Sequence, residues 1–587
     1  MNMKSIIGSV LAFSATTLMS ANRYFQNGGG NLADASQWGG TLPLESADKA
    51  IVDKSGEYTL SKDVDFYDFY VATGGCIFNL ADKKITLNYS GSGNALYCKP
   101  EGGNPIVFKG GTLHFAGESG YCVPYNGSTT SGTGEVVFTN GCVVTGVNRF
   151  YATKGSNNAT VRIAGGSKIY TKRLDVQNGS GVDNLLEICD GGQIVVSDYL
   201  YSEAGDTSSG GYGGNVFRVK GENSILNYEG TGDARLGFQK CCSKLHVADK
   251  GSAMFNGPLV LGAGGNAITN HSLVVERGGT LTASTLKLNS SCCEVIVSNA
   301  TLINSTALYL ASSASCSGNV FRAMGPDTSL TLAPPANWFS SGQYNMISFE
   351  GGVKYSKAIE TIFTNAQHCV FRVSGVGTVF GTGDNVKDFY IGSKQYQLTE
   401  SCASNAVEVL DGAVFNANRF PVMGIGNALV VSNATVNVAA SKPDDSVGLR
   451  IGYKTTNAIE PIDCMLRLCG STPKLNISSR DGGCRILSNS ILRFEIPKSG
   501  YAANYVPIST TRFVFDGDSR LEIDCEDFAR CGGGVLTLIE TEEDIAEGYR
   551  QKLLESVNDL PEGCHLKIVS KRKVKLFCPK GFVFSIR

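Results

Sequence analysis

Tryptophan, histidine and proline are scarce in this 587-residue chain, which holds 2 Trp, 5 His and 16 Pro. Two tryptophans cannot furnish the recurring Cys…Trp…Cys frame of a string of immunoglobulin-like sandwiches. The histidines His114, His246, His271, His368 and His565 belong to no HExxH or Cys/His zinc pattern, and no CxxC occurs. Charge is also thin. Only 18% of residues are charged and the net charge is −2, which removes the electrostatic ground for expecting nucleic acid or an anionic membrane as a partner. No stretch approaches about 18 uncharged apolar residues, so no transmembrane helix is expected. Helix-forming runs of Ala, Glu, Lys and Leu are few. The signatures G-x-S-x-G and the P-loop are missing, as is the Asn-Thr-Asp, Asp-Asp, Arg-Ile-Lys set of pectin-hydrolysing β-helices.

What is abundant is glycine, 71 residues without collagen's three-residue period, set among evenly spread Val, Ile, Leu, Thr, Tyr and Phe. Residues 272–281, SLVVERGGTL, show how these combine. Apolar residues alternate through Leu273 and Val275, two glycines turn the chain, and Leu281 resumes the pattern. Variants open at Asn158, Leu185, Asn215, Leu245, Glu294, Asn319, Val370, Ala406, Leu429 and Met465. NVFRVKG and NVFRAMG are nearly verbatim copies, and VSNAT occurs at Val297 and Val431. An apolar-x-apolar strand sends alternate side chains inward, and Gly, Asn or Asp at the corner accepts a positive φ. One such repeat cannot bury its own apolar face, but stacked turns form a continuous core. The pattern therefore predicts an all-β, single-stranded parallel β-helix, or β-solenoid. A propeller would need longer, four-strand repeats.

The cysteines suggest a period of 20 to 30 residues. Cys98, Cys122 and Cys142 are expected at similar positions on successive turns, as are Cys292 and Cys316, with inward thiols behaving as small apolar residues. Nineteen cysteines is an odd count, so at least one is unpaired within the chain. The adjacent pairs Cys241-Cys242 and Cys292-Cys293 read as one inward and one outward strand residue.

The ends differ from the middle. Residues 1–21 read as a secretory signal peptide, with Lys4 before an apolar stretch and small Ser20 and Ala21 at its end; the rival is a first buried strand. Residues 22–57 are expected to cap the solenoid, which would occupy 58–534, and 535–587 would form a C-terminal cap. In that last segment Ile545, Tyr549, Leu553 and Val557 recur at four-residue steps. They predict a helix over 541–560, capped by Thr541 and stopped by Pro561. Closing strands HLKIVS, VKLFC and GFVFSIR follow, with Lys571-Arg572-Lys573 as a solvated turn.

Within the N-terminal cap, NGGGNLADASQWGGTLPLESADKAIV places Trp38 beside Gly39-Gly40, then Pro43, Asp48 and an apolar strand. This stretch resembles the opening of secreted bacterial β-solenoids with autotransporter-associated β-strand repeats, in the pectin-lyase-like β-helix superfamily. Leu32 stands where the family's first Trp would be, and Gln37 rather than Asn precedes Trp38. The resemblance implies a right-handed coil and a secreted or cell-surface location. The membrane barrel that some such proteins carry has no counterpart in a run of long amphipathic strands here.

Two function classes follow. The first is a non-catalytic secreted or cell-surface solenoid, adhesin-like or carbohydrate-contacting, in which exposed Tyr and Asn on a flat face suit sugar stacking and hydrogen bonding. The alternative is a polysaccharide lyase or glycoside hydrolase on the same scaffold, which needs converging carboxylates or a carboxylate–base set. Asp444-Asp445, with Lys442 and Arg450 nearby, is the best carboxylate doublet, and Asp516 with Asp518 the next. The remaining irregular stretches, 202–214 and 333–345 with Trp338, read as corner loops. The repeats themselves carry residues for turning and stacking, so the first class is favoured and no catalytic, cofactor-binding or metal-ligating residue is assigned. No cofactor is expected. A polysaccharide or a host or cell surface is the expected partner, and the oligomeric state is left open.

Overall fold

A computed structural model describes residues 22–579, apart from 44–47, 92, 101–102, 118–119, 127–133, 180, 205–210, 238–239, 266–267, 312–314, 333–341, 357–360, 364–365, 383–387, 392–401, 440–447, 453–460, 479–481 and 488. The proposed signal peptide, Asp444-Asp445, Trp338 and the strand GFVFSIR lie outside the described residues, as does the centre of the 202–214 loop.

The chain is a parallel β-solenoid. Each regular turn lays down three short strands, here called faces A, B and C in chain order. The stretch singled out from sequence shows the construction: Ser272–Glu276 lies on face A, and Thr280–Ser290 continues around faces B and C. Leu273, Val275 and Leu281 are fully buried. Arg277 and Gly278 turn the corner with φ of 48° and 75°. Gly279 has a different reason to be glycine, since a Cβ there would sit 2.6 Å from the Val247 carbonyl oxygen of the turn below.

Pairing of turn on turn aligns inward residues in columns. On face A one column runs Tyr58, Phe78, Phe108, Phe138, Ile163, Ile188, Val219, Val247, Val275 and Val297. It continues through Ala323, Phe349, Val373, Val409, Val431, Leu468 and Phe494 to Ile523. The repeat openings read from the sequence fall on this ladder, together with the turn of Met346–Glu350, which the repeat list passes over. Four aromatic rings start the column. Tyr58, Phe78, Phe108 and Phe138 stack at 5.1, 5.0 and 5.3 Å between centroids.

Turn length is more variable than the sequence period suggests, from 20 residues between Tyr58 and Phe78 to 37 between Val431 and Leu468. Only the three strands must meet the ladder, so the corners absorb the difference. That variability undoes the expected cysteine register. Cys122 pairs with Leu96 rather than Cys98, and Cys142 lies at the corner before face B, where its carbonyl accepts from Lys168 N at 2.9 Å. Cys292 is exposed while Cys316 is buried, and it is Cys293 that turns inward. The 292–293 pair does split outward and inward, but Cys241 and Cys242 are both half-buried. Cys98, Cys122 and Cys142 are nevertheless all in the core, where burial pushes the Cys142 thiol up to about 12.

A buried polar column precedes face A. Asn184, Asn215, Asn319, Asn345, Asn405 and Asn427 are each at most 1% exposed. Their side-chain oxygens accept from the backbone of the turn below: Cys293 N to Asn319 Oδ1, Asn319 N to Asn345 Oδ1 and Asn405 N to Asn427 Oδ1, each at 2.8 Å. The column thus satisfies amides that the sharp corner removes from the strand ladder. His271 takes one of these places, its Nδ1 accepting from Ser243 N, and burial pushes its imidazole down to about 4.

Both ends of the described ladder are covered. Trp38 is buried against Phe25 and Phe66, and its Nε1 donates to the Leu32 carbonyl at 2.9 Å. At the other end the parallel rule breaks: Gly534–Thr541 and His565–Val569 both pair antiparallel with Lys573–Cys578. Helix α1 spans Glu526–Arg530 and α2 spans Glu547–Glu555. The helix expected over 541–560 is therefore shorter. Thr541 is a strand residue whose N–H donates to Arg572 O, and Glu542 and Glu543 bond to the previous turn, so helical geometry begins only after Ile545. Ile545 and Leu553 do face inward. The basic turn is solvated, with Arg572 and Lys573 paired to Asp544 and Glu540 at 2.8 and 2.7 Å. Among the described residues no helix is long and apolar enough to cross a membrane.

Candidate functional site: a tyrosine-lined cleft

Face C alternates like the others, so every second side chain points outward. Near the N-terminal end most of these outward positions are tyrosines. Tyr24, Ile51, Tyr70 and Tyr97 stand one above another on successive strands, while Phe69 and Leu96 beside them are fully buried. The Tyr70 and Tyr97 rings lie 4.7 Å apart, and Tyr67 and Tyr89 at the adjoining corner lie 5.2 Å apart. Together with Asn22, Lys49 and Asn94 they wall a cleft of about 700 Å³. Tyr24 is 50% exposed at its mouth.

Asp68 lies in this cleft and is 7% exposed. Its Oδ1 has no hydrogen-bond partner among the described residues. Burial pushes the carboxyl up to about 6, and Lys49 on the neighbouring strand acts in the opposite direction. A carboxyl in this state can donate or accept near neutral pH, depending on what enters the cleft.

Further along face C the aromatic positions acquire arginines. Tyr121, Arg149, Arg173 and Tyr199 form one column; Tyr151, Asp175, Tyr201 and Arg235 form the next. Arg149 lies over the Tyr121 ring at 5.2 Å and Arg173 over Tyr201 at 5.0 Å. Asp175 holds Arg173 with two bonds of 2.7 and 3.1 Å. Tyr199 is 47% exposed. The aromatic strip thus extends along the solenoid axis with a rung about every 4.8 Å.

Face A carries the other patterned surface. Its outward column includes Arg162, Glu187 and Arg218, later Arg372 and Glu408, and finally Arg467, Arg493 and Glu522. Here the carboxylates have partners. Glu187 meets Arg162 at 2.8 Å and Lys220 at 2.9 Å; Glu408 meets Arg372 at 2.8 Å; Glu495 meets Arg467 at 2.8 Å and Arg493 at 2.9 Å. Burial opposes ionisation of Glu187, but Lys220 and Arg162 hold its carboxyl below the usual range.

Of the carboxylates named from sequence, Asp444 and Asp445 lie outside the described residues, and Asp516 and Asp518 do not assemble a site. Asp516 caps a turn through Gly517 N and lies 4.0 Å from Lys552, and Asp518 does not line the tyrosine cleft. The histidines remain scattered: His114 bonds Thr145, His246 bonds Glu276, and His368 and His565 stack on Tyr344 and Phe577. Sequence reasoning missed Asp68 and its tyrosines. Two dipeptides separated by one residue, Phe66-Tyr67 and Phe69-Tyr70, were the available signal, because Tyr outside a strict inward period marks an outward aromatic. No protein-family model matches the chain, and no curated protein matches it.

Proposed function

We infer that the protein is a secreted or cell-surface solenoid that holds a polysaccharide along face C without turning it over. The observation that carries this reading is the cleft: tyrosines in column around a buried carboxyl that has an unpartnered oxygen. Pyranose rings stack their C–H faces on aromatic side chains, while their hydroxyls need a few placed polar groups. Asp68, Asn22, Asn94 and Lys49 are such groups. The strip beyond the cleft suits a chain ligand rather than a single sugar, since its rungs recur at about the length of one hexopyranose residue.

Glycoside hydrolysis needs two carboxyl groups across the scissile bond. Asp68 is the one carboxyl lining the cleft among the described residues, which supports binding over hydrolysis. The apolar start of the chain supports export, as does the resemblance of residues 27–52 to secreted β-solenoids. Screening the purified protein on neutral and acidic polysaccharides, by calorimetry and by release of sugar ends, tests the reading. Binding without product is expected. Unsaturated or reducing ends whose release is abolished by Asp68→Asn would overturn it in favour of a lyase or hydrolase, and N-terminal sequencing of mature protein that begins at Met1 would overturn export.

A further inference from the structure

The C-terminal cap brings together three cysteines that are far apart in sequence. Cys525 follows the last face-A strand and precedes α1, Cys564 precedes strand His565–Val569, and Cys578 ends strand Lys573–Cys578. The antiparallel register His565 to Phe577 puts Cys564 and Cys578 opposite one another. Their three sulfur atoms lie within 4.8 Å of one another, and among the described residues no other group of three metal-ligating side chains comes this close. Cys525 is 1% and Cys578 5% exposed, while Cys564 is half-buried and gives access from solvent.

An independent feature adjoins the cluster. A cleft of about 560 Å³ is lined by Cys525 itself and by Glu522, Asp524, Glu526 and Asp559, with Arg493 as the one cation in its wall. That field concentrates cations beside the thiols.

We propose that Cys525, Cys564 and Cys578 bind one soft divalent cation of the zinc type, which staples the C-terminal cap to the last turn of the solenoid. Thiolate sulfur selects such ions over magnesium or calcium, and Zn–S distances of about 2.3 Å require only that sulfurs already in mutual reach draw inward. Binding exchanges three S–H bonds for three metal–sulfur bonds and releases three protons to solvent. A solvent oxygen completes four-coordination. No oxidant or reductant takes part. Because the ligands come from α1's entry and from both strands of the closing hairpin, the ion crosslinks two segments, entry and hairpin, that are not paired strand to strand and otherwise meet through the shared apolar core. Metal affinity is then also folding stability.

Cobalt is the probe. The full-length chain, reduced and stripped with a chelator, is titrated with Co2+ alone and then with Zn2+. One equivalent of Co2+ should give intense thiolate-to-cobalt charge-transfer absorption, which Zn2+ abolishes, and Zn2+ should raise the melting temperature. Cys564→Ser should lower cobalt affinity at least 100-fold, whereas Cys531→Ser, an exposed thiol outside the cluster, should leave it unchanged. Cys564 is the decisive position because it is the half-buried member of the three, where substitution disturbs the core least. Three results would overturn the proposal: no charge-transfer band at one equivalent, a band that survives Cys564→Ser, or a Cys564–Cys578 disulfide in protein isolated with its thiols blocked.

Discussion

Faces A and C are built by the same rule and differ in what their outward positions do. On face A the outward column brings Arg and Glu onto adjoining rungs at several places, and carboxylates such as Glu187 and Glu408 are neutralised by cations on neighbouring rungs. On face C the outward positions at the N-terminal end are mostly tyrosine, and Asp68 is buried without a partner for one oxygen. A paired carboxylate has used its bonding capacity inside the protein. An unpartnered one keeps that capacity for a ligand and destabilises the free fold. The difference marks face A as self-complementary structure and face C as the surface kept available.

The largest test of this contrast substitutes both faces in parallel. Tyr70→Ala with Tyr97→Ala should weaken polysaccharide affinity roughly 100-fold, because truncating central aromatics typically removes about 1–2 kcal/mol or more each. Arg372→Ala with Glu408→Ala should change it less than about twofold. Equal losses from the two pairs, measured by calorimetry, would erase the distinction.

Asp68→Asn is the next largest. The folded carboxyl titrates near 6, above the usual carboxylate range, because burial disfavours its charge. The native state therefore holds a proton that the unfolded chain has released, and stability falls as pH rises from about 4 through 6. The Asn variant should lack that slope. After discounting for solvent in the cleft, it should be more stable than the parent at pH 7 by about 2 kcal/mol and equal to it near pH 4. It should also bind polysaccharide more weakly, so that stability and binding move in opposite directions. Urea unfolding at the two pH values checks the first half.

Glu187→Gln goes the other way. Its carboxyl is held below the usual range, so its contribution is present at neutral pH and lost as the pH falls through its folded value. The substitution should cost about 1–2 kcal/mol at pH 7, less in high salt, by the same unfolding measurement. The smallest effect belongs to the Arg372–Glu408 pair, whose side chains are 35% and 23% exposed. A double-mutant cycle should give a coupling below about 1 kcal/mol that shrinks further with salt. A coupling several times larger would mean that the face A column is more than solvated lacing.

Much of the scaffold was legible because its rules are local. An inward aliphatic residue recurs two positions on, and the corner needs Gly, Asn or Asp; Leu273, Val275, Gly278 and Leu281 state the rule in ten residues. The Asn column was visible as the letter that opens NVFRVKG and NVFRAMG, though not its role in satisfying corner amides. The helix was misjudged at both ends: Thr541 has helical neighbours in sequence but a strand partner in space, and the helix stops at Glu555, before Val557 bridges to Leu521.

The sequence by itself determined that this chain stacks short parallel strands, which residues face the core and where the corners fall. Only the tertiary structure decided which outward residues become neighbours. Tyr24, Tyr70 and Tyr97, or Cys525, Cys564 and Cys578, stand at no fixed spacing, because turns of 20 to 37 residues share one ladder. Inward side chains are selected by burial and repeat wherever the backbone repeats. Outward ones are free of that constraint, so their adjacency depends on the length of every corner between them.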